Sequence, residues 1–175
     1  MTLEKLKNIQ LVLLDVDGVL TAGEIIYGDN GEQLKIFNVK DGLGIRMLKA
    51  AGIGVGIITG RKGGALQHRC RNLGIDLVFD GIRDKTKILD KIVAQTGIAA
   101  DRMAFVGDDL PDLAVMKKVG LAVAVADAHE MVQQAAHIIT RLPGGRGAVR
   151  EICDAILKAQ NQWASVTEKL FYVDH

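Results

Sequence analysis

Six short apolar runs, separated by longer amphipathic segments, are the feature that most constrains the fold of this chain. Each run is rich in β-branched residues, as strands buried on both faces usually are. The runs cover residues 9–16, 54–59, 75–79, 102–107, 121–125 and 137–140. The segments with apolar residues at helical spacing are 42–52, 64–74, 84–97, 110–120 and 144–160. This alternation predicts an α/β fold with a doubly wound, Rossmann-like parallel sheet covered by helices.

One segment interrupts the alternation directly after the first predicted strand. Residues 24–39, "EIIYGDNGEQLKIFNV", contain two extended runs around "GDNG", which is a turn signal. A helix should follow the first strand there, so we predict a β-hairpin insertion instead. We expect a single domain over residues 1–175, with a poorly patterned C-terminal tail over 161–175.

The composition indicates an ordinary soluble globular protein and restricts its partners. Of the 175 residues, 49% are hydrophobic and 25% are charged, and the net charge is +1. No broad basic surface for nucleic acid or an anionic membrane is therefore expected. The apolar runs are too short to span a bilayer. Cys70 and Cys153 are far apart, which predicts reduced thiols, and the N-terminus does not resemble a signal peptide, so we expect a cytoplasmic protein.

Polar side chains follow four of the predicted strands. In an open parallel sheet, ligands bind beyond the carboxyl ends of the strands, so these residues should meet at one edge. The set comprises Asp15 and Asp17 after the first strand, Thr59 after the second, Lys85 after the third, and Asp108, Asp109 and Asp112 after the fourth. Taken singly, most of them could be strand residues, helix caps or solvated charges. Together, the carboxylates, the hydroxyl and the ammonium suit Mg²⁺ plus a phosphoryl group.

The ordered motifs "VLLDVDGV", "IITGR", a Lys and "VGDDLPD" resemble those of the haloacid dehalogenase superfamily of phosphotransferases. The resemblance covers residues 9 to about 125. It implies that Asp15 is the nucleophile, that Asp17 is the acid and base, and that Thr59 and Lys85 hold the phosphoryl oxygens. It also implies Mg²⁺ on the Asp15 carboxylate, the Asp17 main-chain carbonyl and Asp108. Asp109 and Asp112 would orient these groups from a second layer.

Longer segments are similar to the 3-deoxy-D-manno-octulosonate 8-phosphate phosphatases, which lack a cap domain. They are residues 28–46, 59–75, 106–128 and 144–160. This resemblance implies a sugar acid phosphate as substrate, in lipopolysaccharide precursor synthesis. It also implies a homotetramer in which hairpins complete the active sites of neighbouring subunits.

The same resemblance implies a set of residues that bind the substrate. Arginine suits the substrate carboxylate because its guanidinium forms bidentate hydrogen bonds. The implied set is Asn38, Val39, Lys40, Asp41, Gly42, Arg46, Arg61, Arg69 and Lys85. Lys40 stands where the family more often has Arg. Lysine keeps the positive charge but cannot form the bidentate hydrogen bonds of a guanidinium group.

Two alternatives stay open at the level of the sequence. The first is a phosphatase for another nonulosonate phosphate or another sugar phosphate. The motifs indicate the phosphoryl transfer chemistry but say much less about which sugar alcohol is released. The second is a signalling receiver domain that is phosphorylated on Asp80, although the DxDG start and the later GDD have no place in a receiver.

Overall fold

The computed structural model describes residues 2–29, 31 and 33–172, and six of its strands form one parallel sheet. The strands in chain order are β1 (Leu11–Leu14), β2 (Ile26–Tyr27), β3 (Gln33–Leu34), β4 (Gly54–Ile58), β5 (Leu77–Phe79), β6 (Met103–Gly107), β7 (Leu121–Ala124) and β8 (Ile138–Ile139). The large sheet has the order β5-β4-β1-β6-β7-β8 with every pair parallel. This is the doubly wound order with its reversal beside β1, so the predicted fold class is confirmed.

The sheet is buried by two groups of helices. The helices are α1 (Thr2–Lys7), α2 (Val39–Ala50), α3 (Gly64–Leu73), α4 (Lys85–Thr96), α5 (Leu113–Met116), α6 (Glu130–Ala135), α7 (Ala148–Ala159) and α8 (Trp163–Phe171). In the first group α7 contacts α1, α2 and α8, and α3 contacts α2; in the second group α5 contacts α4 and α6. All residues of β1, β6 and β7 are buried, as expected for central strands covered on both faces.

The structure differs from the sequence-based expectation in several helices. Helices α1 and α6 were not predicted, and residues 110–120 contain a 3₁₀ turn over 110–112 followed only by the short helix α5. The expected poorly patterned tail contains α8, which is anchored by the buried Val166 and by Trp163. The ammonium group of Lys158 lies 4.8 Å from the ring centroid of Trp163. Residues 173–175 lie outside the described part of the chain.

The predicted hairpin is present after β1. Strands β2 and β3 pair antiparallel, with Ile26 opposite Leu34. Asn30 and Glu32, in and beside the turn, lie outside the described residues. Several apolar side chains of this segment face solvent, and Ile36 is 75% exposed. Within the described residues, no helix is both long enough and apolar enough to cross a bilayer.

Candidate active site

The polar residues predicted to converge do meet, at the carboxyl ends of β1, β4 and β6. They line a cavity of about 550 Å³. The predicted residues in its lining are Asp15, Asp17, Thr59, Arg61, Lys85, Asp108, Asp109 and Asp112. The cavity lies where the strand order reverses, which is where a doubly wound sheet binds its ligands.

Lys85 is the buried cation of this cavity. It is the first residue of α4, whose N-cap is Asp84, and its side chain is 5% exposed. Its ammonium nitrogen lies 2.6 Å from Asp112 Oδ1 and 3.1 Å from Asp15 Oδ1. Burial alone would lower the pKa of Lys85, but the charges of Asp15 and Asp112 raise it above its ordinary value. Lys85 therefore stays charged beside Asp15.

Asp112 organises the loop that follows β6. Its Oδ2 accepts hydrogen bonds from the backbone N–H groups of Asp108 at 3.0 Å and Asp109 at 3.4 Å, while its Oδ1 accepts from Lys85. Gly107 lets this carboxylate approach, because a Cβ atom at that position would overlap it. Asp112 is thus a positioning residue with both oxygens engaged.

Asp15 and Asp108 each carry a buried carboxylate oxygen that accepts no hydrogen bond within the described part of the chain. Ligand atoms of Asp15, Asp108 and Asp112 lie within 4.8 Å of one another. Among the described residues, no group forms a hydrogen bond with the buried Oδ1 atoms of Asp15 and Asp108, and the Lys85 ammonium approaches Asp15 outside hydrogen-bonding geometry. Burial raises the pKa of Asp15 to about 6, although Lys85 opposes the shift. Burial and then the Asp15 charge raise the pKa of Asp108 to about 8.

These unpaired oxygens fit a hard divalent cation. Converging buried carboxylates repel one another and are costly to dehydrate unless a cation compensates them. Asp15 and Asp108 offer the free oxygen ligands that Mg²⁺ prefers, whereas Asp112 is committed to Lys85 and the loop. The residues present therefore fit the predicted metal.

Gly18 allows the loop that follows β1 to approach the loop that follows β6 closely. It has a φ of +88°, and a Cβ atom there would overlap the Asp108 carboxylate. The turn over 144–147 supports the same loop from behind. Gly144 packs against the Gly18 carbonyl, and the Gly145 N–H donates to Val19 O at 2.8 Å.

Asp17 is held by two cations, one of which the sequence did not reveal. Its Oδ1 is paired with Lys35, which follows β3, and its Oδ2 lies 3.7 Å from Arg61 Nε. Thr59 is buried at the end of β4, and its Oγ1 accepts a 3.5 Å hydrogen bond from the Arg61 N–H. A single Lys in the apolar run 34–37 was the only sequence signal for Lys35.

Most of the other predicted substrate residues do not line this cavity. The carboxylate of Asp41 is buried and accepts from the backbone N–H groups of Gly147 at 3.3 Å and Arg150 at 2.8 Å. Asp41 therefore caps α7. Arg69 donates to Asn38 O at 3.0 Å, and its guanidinium lies against Gly42, where a Cβ atom would overlap it.

The remaining members of that predicted set face other surfaces. Arg46 donates to Asn72 O at 3.1 Å. Asn38 caps α2, accepting from the Lys40 N–H at 2.8 Å, and lines a second cavity of about 390 Å³ beneath the hairpin. Val39 is 78% exposed, and Lys40 lines a groove beside α7. Asp80, the acceptor in the receiver alternative, binds Gln67 at 2.9 Å and is outside the lining of the cavity around Asp15.

Comparison with known proteins identifies the family. The 3-deoxy-D-manno-octulosonate 8-phosphate phosphatase KdsC of Escherichia coli K12 is 51% identical over 158 residues, which are 90% of this chain and 84% of that protein. The chain belongs to the 3-deoxy-D-manno-octulosonate 8-phosphate phosphatase family. Residues 77–152 match the model of the haloacid dehalogenase-like hydrolases. Both family resemblances are thereby confirmed, and with them the enzyme class of phosphatase.

Solved structures of this phosphatase family share the whole fold. The crystal structure of the Yersinia pestis phosphatase has a TM-score of 0.92 and 47% identity, covering 93% of this chain and 88% of that one. The Moraxella catarrhalis phosphatase, solved in complex with a magnesium ion, a phosphate ion and KDO, has a TM-score of 0.93 and 40% identity. That comparison covers 96% of this chain and 97% of the other.

Proposed function

We propose that this protein hydrolyses 3-deoxy-D-manno-octulosonate 8-phosphate to the free sugar acid and phosphate, in lipopolysaccharide precursor synthesis. The observation that carries the proposal is that one cavity brings together the buried ammonium of Lys85 and two buried carboxylate oxygens, on Asp15 and Asp108, that have no hydrogen-bond partner among the described residues. The 51% identity to the Escherichia coli enzyme over 90% of the chain supports the choice of this sugar.

The first chemical step is phosphoryl transfer to Asp15. A carboxylate oxygen of Asp15 attacks the phosphorus atom, and the bond between phosphorus and the oxygen on C8 of the sugar breaks. Asp17 protonates that departing oxygen, which gives the sugar alcohol and an aspartyl-phosphate. Both side chains line the same cavity, as this division of roles requires.

The second step frees the enzyme. Asp17, now a carboxylate, takes a proton from a water molecule, whose oxygen attacks the phosphorus atom of the aspartyl-phosphate. The bond between phosphorus and the Asp15 oxygen breaks, and phosphate leaves. The Lys85 ammonium and the Thr59 hydroxyl, both at the cavity wall, hold the phosphoryl oxygens as their charge develops.

Mg²⁺ would be held by the Asp15 and Asp108 carboxylates together with the Asp17 main-chain carbonyl. When bound, it would neutralise the carboxylates and polarise the phosphoryl group. Asp112 orients Lys85 and the backbone of Asp108, and Asp109 caps the turn that follows, with its Oδ1 accepting from the Leu110 N–H at 2.8 Å.

The positions of the residues implied to bind the sugar support a further proposal, a homotetramer in which neighbouring subunits complete each active site. Of the three arginines implied to bind the substrate, Arg61 lines the cavity around Asp15, whereas Arg46 and Arg69 do not. Asn38, Val39 and Lys40 lie on other surfaces, next to the exposed apolar side chains of the hairpin. We propose that this surface, Ile26, Leu34 and Ile36 together with residues 38–40, contacts a neighbour and contributes to its site. Gly42, Arg46 and Arg69 would shape this loop from within the subunit.

The proposed setting of the enzyme is the cytoplasm, without a nucleic acid or membrane partner. Cys70 and Cys153 are both buried and unpaired, which is consistent with a reducing compartment. The net charge of +1 gives no broad basic surface.

A panel of sugar phosphates, each assayed for released phosphate with and without a chelator, tests the proposal. We expect a strong preference for 3-deoxy-D-manno-octulosonate 8-phosphate and loss of turnover with the chelator. Equal turnover of simple hexose phosphates would contradict the sugar assignment and favour a broader sugar phosphatase. Asp15→Asn should abolish turnover while leaving the fold intact, and unchanged activity would exclude Asp15 as the nucleophile.

A further inference from the structure

Lys35 connects the hairpin insertion to the catalytic residue Asp17. It follows β3, so the return strand of the hairpin brings it over the carboxyl end of β1. Its side chain is 5% exposed, although its neighbours Leu34 and Ile36 are strongly exposed. A lysine that buries its chain this far in a solvent-facing segment does so for a specific partner. That partner is the Oδ1 atom of Asp17.

The two oxygens of Asp17 have different surroundings. Lys35 holds Oδ1, whereas Oδ2 is buried and has no hydrogen-bond partner among the described residues. Arg61 Nε lies 3.7 Å from Oδ2, which is too far for a hydrogen bond. The contact with Lys35 therefore fixes the rotation of the carboxylate and leaves Oδ2 as the oxygen without a hydrogen bond.

We propose that Lys35 is a positioning residue that orients the Asp17 carboxylate for proton transfer. This inference rests on the proposed function, in which Asp17 exchanges protons with the leaving oxygen and with water. Proton transfer requires the carboxylate oxygen within hydrogen-bond reach of the reacting oxygen, so rotation of Asp17 slows both steps. The hairpin thus takes part in the chemistry of its own subunit.

The test is a double-mutant cycle between Lys35 and Asp17. Lys35→Met should lower kcat for 3-deoxy-D-manno-octulosonate 8-phosphate about 10-fold or more and leave KM within about twofold, because a contact that positions a catalytic group is expressed in the transition state. In the Asp17→Asn background the same substitution should have almost no further effect, since there the residue through which it acts is already gone. Single-turnover measurements with enzyme in excess keep the slow variants measurable.

Lys62→Met is the matched control. Lys62 and Lys35 both line a further cavity, between the hairpin and the start of α3, and they carry the same charge. Unlike Lys35, Lys62 is exposed and forms no ion pair with Asp17 among the described contacts. Its removal should change kcat less than about twofold, whereas Lys35→Arg should restore part of the activity lost in Lys35→Met. Thermal unfolding of each variant separates loss of fold from loss of rate, and Lys35→Gln replaces Lys35→Met if the latter does not fold.

Three outcomes would overturn the assignment. One is a multiplicative loss in the Asp17→Asn background, which would mean that Lys35 acts independently of Asp17. Another is a rise in KM with unchanged kcat, which would make Lys35 a substrate-binding residue. The third is an equal fall in kcat for Lys62→Met, which would mean that Lys35 acts only through the overall positive charge near the site. Failure of the proposed function itself would appear separately, as absence of turnover by the wild-type protein.

Discussion

The ammonium of Lys85 lies 2.6 Å from Asp112 Oδ1, and both side chains are almost fully buried. Asp112 also accepts from the backbone of Asp108 and Asp109, so one carboxylate positions both Lys85, the proposed phosphate-binding cation, and the loop that carries the proposed metal ligand Asp108. Removing one partner of a buried pair leaves an uncompensated charge, which is usually more costly than the pair is stabilising.

We therefore expect Asp112→Asn to lower both stability and activity. The amide would place a donor where Asp112 now accepts, and the free energy of unfolding should fall by about 2–4 kcal/mol. Turnover should fall about 10-fold or more because Lys85 and Asp108 lose their support. Urea unfolding and a phosphate-release assay measure the two effects. Asp109→Asn is the stability control, since Asp109 is exposed and Asn caps nearly as well as Asp.

The stability of the metal-free protein should depend on pH through Asp15 and Asp108. Their folded-state pKa values of about 6 and about 8 lie above the ordinary value of 3.8. A group with a raised folded pKa contributes stability that is complete below its unfolded pKa and is lost as the pH rises through the folded pKa. In a chelator, the melting temperature should therefore fall between about pH 4 and about pH 9.

Mg²⁺ should reverse that trend. Because protons and the metal compete for the same carboxylates, the ion should stabilise the protein more at about pH 9 than at about pH 6. Thermal unfolding with Mg²⁺ and with chelator at both values checks this, and Asp108→Asn should remove much of the pH dependence. Equal stabilisation by Mg²⁺ at both values would contradict the assignment of these ligands.

The sheet and the catalytic edge were predictable because each depends on local pattern. Strands buried on both faces form continuous apolar runs, and the doubly wound order brings their carboxyl ends together. The strand pattern alone therefore predicts one common edge for Asp15, Thr59, Lys85 and Asp108. The hairpin was predictable for a similar reason, because "GDNG" between two extended runs is a local signal.

Contacts that depend on tertiary packing could not be read from the sequence. Asp41 lies in the first turn of α2, and no local sequence signal indicates that its carboxylate caps α7. The backbone N–H that it accepts from belongs to Arg150, 109 residues further along the chain. Lys35 meets Asp17 only because of the path that the hairpin takes on its return. The tail was expected to be poorly patterned because its apolar residues are sparse, but Trp163 and Val166 suffice to dock α8.

Gly18→Ala should separate the local strain of a glycine replacement from its effect on the metal site. The new Cβ atom would overlap the Asp108 carboxylate, so Mg²⁺ affinity should fall about 10-fold or more, with a matching loss of turnover at low Mg²⁺. Gly52→Ala is the matched control, because Gly52 also has a positive φ, +80°, but nothing lies near its added Cβ. Both variants should lose about 1 kcal/mol of stability. Magnesium titrations of activity that are equal in the two variants would contradict this role of Gly18.

Asp41→Ala should distinguish a helix cap from a substrate-binding residue. The side chain is buried beneath α7 and both of its oxygens accept backbone hydrogen bonds, so we expect the free energy of unfolding to fall by about 1–2 kcal/mol. Asp41→Asn should restore most of that stability, since Asn is also a good cap. A rise in KM without loss of stability, measured by steady-state kinetics and urea unfolding, would instead assign Asp41 to the substrate.

The exposed hairpin gives the prediction that tests assembly. Ile36 is 75% exposed and Leu34 is 62% exposed, and an apolar surface of this kind is typical of an interface rather than of a solvated loop. Ile36→Glu should place like charges together at the proposed centre of the tetramer, shift the mass measured by light scattering to smaller species, and lower turnover because neighbours no longer complete the sites. Met131→Glu, on α6 and 51% exposed, is the control and should change neither property. An unchanged mass for Ile36→Glu, or full turnover by dissociated subunits, would show that each chain completes its own site.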